Sequence, residues 1–382
     1  MAQTLDILDK LVAFDTVSAN SNLGIIAYIE EFLRARGFAV HRVPDDSGEK
    51  AGLFASIGPE GAGLMLSAHT DVVPVAGQDW SRDPFCLTAE GDKLFGRGTT
   101  DMKGCLAAML RAADRASVAE LREPLKLAIS YDEEVGCLGI RDMIDQLAPS
   151  IGLPRAALVG EPTEMQVAIG HKGKAGLRAI CTGQNGHSAL APNFVNALHL
   201  AADFVSEMRV LQDELAAHGA RDEAYTVPYS TVHVGKLAGG EALNIVPDRA
   251  EITFEYRHLA EDDPGDLRAR MEAAANRVAA RYTPRFDGAR IEISEYMSYP
   301  GLSLPGGAPV IGLAQRLAQT NGTTKVAFGT EAGYFDALGV PTVVCGPGSM
   351  EGQGHKPDEY ITRSQLAACD AMMDRVIKEI SA

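Results

Sequence analysis

Apolar positions along this chain follow two different periods. In the first half, the runs FAVHRV, LFASI, GLMLSAH, LKLAISY and AALVGE are short and nearly continuous in apolar residues. That is the pattern of strands covered on both faces. Helical spacing fills the intervals. The stretch ANSNLGIIAYIEEFLRARG predicts a helix that starts at Ser21 or Asn22 and stops at Gly37. An Ala- and Leu-rich stretch after Asp101 predicts another. Strand and helix in alternation predict an α/β fold, with a mixed, mostly parallel sheet flanked by helices. Near residue 175 the pattern changes. AGLRAICTG, YSTVHVGKLAGG and RAEITFEYRHL alternate with period two, as half-exposed strands do, and two helical stretches lie among them. A small antiparallel sheet with helices on one face fits an inserted α+β domain. The α/β pattern returns with the helix PVIGLAQRLAQTNG and the buried strand VPTVVCG. The predicted layout is a main domain in two parts, 1–174 and 290–382, around an insertion at 175–289.

Composition narrows the partners. The chain has 382 residues, 46% of them hydrophobic, enough to bury a core of two domains. Lys and Arg number 35 against 51 Asp and Glu, a formal charge of -16 with no sustained basic stretch, so nucleic acid is not expected as a partner. No apolar run is long enough to span a bilayer. The amphipathic, acidic opening MAQTLDILDKLVAFDTVSA is unlike a secretion signal, and a cytoplasmic protein is expected. Six cysteines are scattered without a CxxC pair, which predicts free, buried thiols.

Candidate chemistry gathers where the apolar runs end. LKLAISYDEEVG carries Glu133 and Glu134 side by side. At a strand end, alternation sends adjacent side chains to opposite sides, so one carboxylate can bind a metal while the other faces the water that metal activates. His69 and Asp71 follow a buried-strand pattern, Asp101 precedes a helix, Glu161 ends RAALVGEPT, and His355 lies in a Gly-rich loop after PTVVCGPG. Strand carboxyl ends are where open α/β sheets bind ligands. His, Asp and Glu converging there suit a divalent metal held by nitrogen and oxygen. Neither GRG at 96–98 nor GPGS at 346–349 has the context of a nucleotide-binding loop.

The strings SAHTDVVP, GRGTTDMKG, YDEEVG, GEPT, GHSA, LNIVPDRAEITFEYR and GTEAGYF…GHKPDEY stand in this order. With them the chain resembles, over nearly its whole length, the family of acetylornithine deacetylases and succinyl-diaminopimelate desuccinylases, dinuclear zinc amidohydrolases and peptidases. The resemblance implies a zinc-peptidase-like catalytic domain, an inserted lid and dimerisation domain, a homodimer, and two divalent ions, zinc or alternatively cobalt. It implies that Asp101 bridges the ions, that His69 and Glu161 complete one site, and that Glu134 and His355 complete the other. Asp71 would fix the His69 tautomer and Glu133 would be the general base. His187 would stabilise an oxyanion from the partner subunit, and Asn244 and Arg257 would hold substrate. A cis peptide between Asp101 and Met102 is also implied. The desuccinylases resemble one another with a GTSDGRF-like string where this chain has Glu331 and Tyr334. A carboxylate in place of a small residue, and no arginine, suits a substrate with a cationic side chain. The expected reaction is hydrolysis of N-acetyl-L-ornithine to ornithine and acetate, a step of arginine biosynthesis. The alternatives are a desuccinylase, another N-acyl amino acid deacylase, or a dipeptidase of the same fold.

Overall fold

The computed structural model describes residues 1–382 as two compact units, Met1–His171 with Leu302–Ala382, and Lys172–Gly301. The first unit holds a mixed, mostly parallel sheet flanked by helices. Four parallel strands lie at its centre in the order Leu125–Ser130, Leu64–His69, Ala156–Pro162 and Thr342–Gly346. All their residues are buried, as their nearly continuous apolar runs predict. Antiparallel strands flank them, Ala51–Ile57 and Ala39–Pro44 on one side and Val167–His171 on the other. The helix Lys103–Ala116 is buried on nearly every side, between the sheet and the helices Ala2–Val12 and Arg363–Ile380. Its close approach depends on Gly160, where a Cβ would fall 2.4 Å from Cys105 Sγ. Because the central strands run in parallel, His69 and Glu161 emerge together at one end of the sheet.

The second unit is built on a four-stranded antiparallel sheet, in the order Thr231–Gly239, Arg249–His258, Gly173–Thr182, Arg290–Tyr299. Helices Ala197–His218 and Pro264–Ala280 pack on one face. Inward residues at every second position, among them Leu177, Ala179, Ile252 and Phe254, meet Phe204 and Met271. Phe204 and Phe254 stack edge to face at 5.6 Å. The strand Arg290–Tyr299 lies outside the 175–289 insertion drawn from the sequence. It pairs with Gly173–Thr182, so the unit extends to Gly301. No helix is long and apolar enough to cross a membrane.

Candidate metal centre

His69 is the last residue of its strand and is 1% exposed. Its Nε2 lies 3.1 Å from Asp101 Oδ1 and 3.5 Å from Glu161 Oε1. Asp101 enters from the turn before the Lys103–Ala116 helix, through a cis peptide to Met102. The other Asp101 oxygen, Oδ2, lies 3.1 Å from His355 Nε2, which is 3.0 Å from Glu134 Oε2. Asp101 thus faces His69 and Glu161 on one side, and His355 and Glu134 on the other. Ligand atoms of His69, Asp101 and Glu134 lie within 4.8 Å of one another, and so do those of His69, Glu133 and Glu161. The five residues that the resemblance assigned to metal are brought together, and Glu133 faces the same space.

The two glutamates diverge, but not through strand alternation. The strand ends at Ser130, and Asp132 adopts a positive φ of 53° that turns the chain. Asp71 then receives the reversed backbone. Its Oδ1 accepts from Glu133 N–H at 3.0 Å and its Oδ2 from Glu134 N–H at 3.2 Å, while Ser18 Oγ donates to Oδ2 at 2.7 Å. The partner of His69 Nδ1 is chiefly the backbone carbonyl of Asp71, at 3.0 Å, with the carboxylate at 3.4 Å. Asp71 therefore positions three site residues, whereas the sequence suggested one. Lys50 pairs with Asp132 and with the Ser18 carbonyl, anchoring the turn. Cys137, a free and buried thiol as expected, donates from Sγ to Glu133 Oε1 at 3.3 Å. Of the six free thiols, Cys86 is exposed, against the expectation of burial.

The electrostatics of the cluster call for cations. Burial, with the nearby charge of Asp101, pushes the Glu161 carboxyl well above its usual range and that of Glu134 up to about 7. Burial also raises Glu133 strongly, and Glu134, Asp101 and Glu331 add to the rise. Burial disfavours the charged imidazoles, yet the carboxylates outweigh it. Glu161 and Asp101 raise His69 well above normal, and Asp101 and Glu134 raise His355 to about 10. Asp101 itself is held low, because His355 and His69 outweigh its burial. Glu161 Oε1 is buried without a hydrogen-bond donor. Buried carboxylates need a positive partner, and the cationic groups beside Asp101, Glu134 and Glu161 are the imidazoles of His69 and His355. Oxygen and nitrogen donors in two adjoining sets fit divalent metal ions.

The other flagged residues are placed differently. Glu331 is 1% exposed and starts the Ala332–Ala337 helix. Ser67 Oγ donates to its Oε2 at 3.3 Å, one strand repeat before His69, and burial pushes its carboxyl up to about 7. Glu331 is as buried as His69 itself. In the second unit, His187 is exposed and its Nδ1 accepts from Ala189 N–H at 3.1 Å. The short strand pair Gly186–His187 and Ile245–Val246 sets it opposite Ile245, and the Asn244 carbonyl accepts from Ser188 N–H at 3.0 Å. Arg257 Nε contacts Glu255 Oε1 at 3.0 Å. The sequence reading did not mark Arg97 or Glu359, which form a fully buried ion pair of 2.7 Å beside Asp101. The available signal was one charge four residues before Asp101 and an opposite one four residues after His355, both in Gly-rich loops.

Two adjoining donor sets, with the half-buried carboxylate of Glu133 facing them, define a metal-dependent hydrolase. The chain belongs to the peptidase family M20/M25/M40, whose model matches residues 65–379. It is 34% identical over 380 residues to acetylornithine deacetylases of Salmonella arizonae and Salmonella newport, covering 98% of this chain and 96% of each relative. Its fold is similar to that of an M20 metallo-carboxypeptidase from Sulfolobus solfataricus, with a TM-score of 0.81 at 19% identity over 99% of both chains. It is also similar to a dinuclear metal-binding M20 peptidase from Bacillus subtilis, with a TM-score of 0.69 at 14% identity over 99% of this chain and 98% of that one. The protein is a metal amidohydrolase.

Proposed function

We propose that this enzyme removes the acetyl group of N-acetyl-L-ornithine. The observation that carries the reading is the 34% identity, end to end, with acetylornithine deacetylases. His69 and Glu161 would hold one ion, His355 and Glu134 the other, and Asp101 would bridge them, with zinc as the expected metal. Bound there, the ions supply Lewis-acid polarisation of the amide carbonyl and acidify water. The remaining chemistry belongs to side chains. Glu133 takes the proton of the attacking water and later returns it to the leaving nitrogen, which cannot depart as an anion. Asp71 keeps Glu133 and Glu134 aimed by holding their backbone N–H groups.

His187 in a homodimer would stabilise the developing oxyanion, and its exposure fits a side chain that completes its role on contact with another surface. Asn244 would hold substrate. Arg257 would have to exchange its Glu255 contact for the substrate carboxylate. Glu331 would have to become accessible from its buried place beside Ser67 to meet the ornithine ammonium, and the preference for a cationic substrate rests chiefly on the relatives.

The test is kcat/KM for N-acetyl-L-ornithine, N-acetyl-L-methionine, N-succinyl-diaminopimelate and a dipeptide. N-acetyl-L-ornithine should be hydrolysed best. Preference for the succinyl substrate or the dipeptide would replace the deacetylase reading with one of its alternatives.

A further inference from the structure

The metal centre takes its ligands from segments far apart in the chain. Asp101 and His355 face each other at 3.1 Å, and something must hold their two loops in register. Arg97 and Glu359 lie between those loops, and both are 0% exposed. Glu359 Oε1 accepts from Thr100 N–H at 2.9 Å and from Asp101 N–H at 3.2 Å. Its Oε2 accepts from Arg97 Nη1 at 2.7 Å. The Arg97 guanidinium also reaches Gln78 Oε1 at 2.6 Å and the Lys356 carbonyl at 3.5 Å, next to His355. Trp80 lies 5.0 Å from it. Backbone contacts run the same way. Gly96 N–H donates to the Glu359 carbonyl at 3.0 Å, and Thr100 Oγ1 donates to the Tyr360 carbonyl at 2.7 Å.

A buried ion pair is a poor way to gain stability, since an apolar pair of similar volume often does as well. It does fix geometry, because a planar guanidinium and a carboxylate accept only a narrow range of arrangements. Here that geometry is imposed on the peptide groups leading into Asp101 and on the carbonyl following His355. We propose that Arg97 and Glu359 are positioning residues of the metal centre, setting the register between Asp101 and His355. This rests on the two-ion reading above. Neither residue touches a metal ligand's side chain; each acts through the backbone.

The experiment measures zinc affinity by competition with a chromophoric chelator. It compares the wild type with Glu359→Gln, Arg97→Lys and Asp370→Asn. In Glu359→Gln one oxygen remains for the two N–H groups, and an amide donor then confronts Arg97. Arg97→Lys keeps the charge but not the fork. Asp370 is the control. It pairs with Arg111 at 2.8 Å, is comparably buried, and touches none of the ligands. Loss of a group that holds a metal ligand in place typically weakens binding about 10–100-fold. Glu359→Gln and Arg97→Lys should show that loss, with kcat reduced at saturating zinc and KM little changed. Asp370→Asn should melt earlier with zinc affinity unmoved. Wild-type affinity in a folded Glu359→Gln variant, or an equal loss in Asp370→Asn, would overturn the proposal. If Glu359→Gln does not fold, Arg97→Lys decides in its place. A wild type that binds fewer than two ions would instead overturn the two-ion reading.

Discussion

The two units use the same charged residue types in opposite ways. In the first, His69, Asp71, Asp101 and Glu161 are each no more than 6% exposed, and each is tied to another charged group. In the second, charges line the solvent face of the antiparallel sheet. Arg178 and Arg249 flank Glu251 at 3.0 and 3.4 Å, and Lys174 and Arg257 flank Glu255 at 2.9 and 3.0 Å. The first arrangement shifts proton affinities strongly and creates a demand for cations. The second is screened by water and mainly keeps one face of the sheet polar. Residue identity alone does not separate a carboxylate that does chemistry from one that does not. Burial and the company of other carboxylates do.

The contrast is broken most severely at Glu133. Glu133→Gln keeps the shape but cannot accept a proton. It should lower kcat by about 10²–10⁴-fold or more while metal content, read by elemental analysis, stays at the wild-type level. Near-normal turnover would remove Glu133 from the base role. In the second unit the comparable loss is at His187. His187→Ala should cost about 10²–10³-fold in kcat, the scale of one oxyanion donor. Mixed with Glu133→Gln under subunit exchange, it should recover activity, because one hybrid site would hold both intact groups. Exchange without recovery would rule out action across a dimer.

A smaller effect is expected in pH dependence. Without metal, His355 holds its proton up to about pH 10 and Glu134 to about pH 7, both above their unfolded values. The folded state then binds more protons than the unfolded one across pH 5–10, so stability falls as pH rises. Chelated protein should melt at a lower temperature at pH 9 than at pH 6. Metal-loaded protein should not show this fall, because the ions displace those protons. A chelated protein that gains stability over that range would contradict the proton inventory of the cluster. The smallest effect belongs to the exposed ladder. Arg178→Ala should change stability by no more than about 1 kcal/mol in a denaturant titration, at either pH.

Much of the site was legible because it is local. His69 and Glu161 lie at the ends of nearly continuous apolar runs, and such runs in parallel strands deliver their last residues to one end of a sheet. Glu133 and Glu134 were legible as a pair, although the turn made by Asp132 separates them where strand alternation was expected. What was hidden depends on distant partners. Glu331 sits in a short Gly-flanked string whose burial against Ser67 spans 264 residues of sequence. Arg97 and Glu359 are 262 apart. The strand Arg290–Tyr299 was not marked in the sequence, and a strand's own sequence does not name the sheet it joins.

The most direct test of the two-ion centre is metal stoichiometry in Asp101→Ala, measured together with hydrolysis of N-acetyl-L-ornithine. Asp101 contacts both His69 and His355, each at 3.1 Å, one through each carboxylate oxygen. Wild type should carry two ions per chain and lose activity on chelation. The variant, with its fold intact by circular dichroism, should retain neither ion tightly and should be inactive. Two tightly held ions and normal turnover in Asp101→Ala would contradict the account.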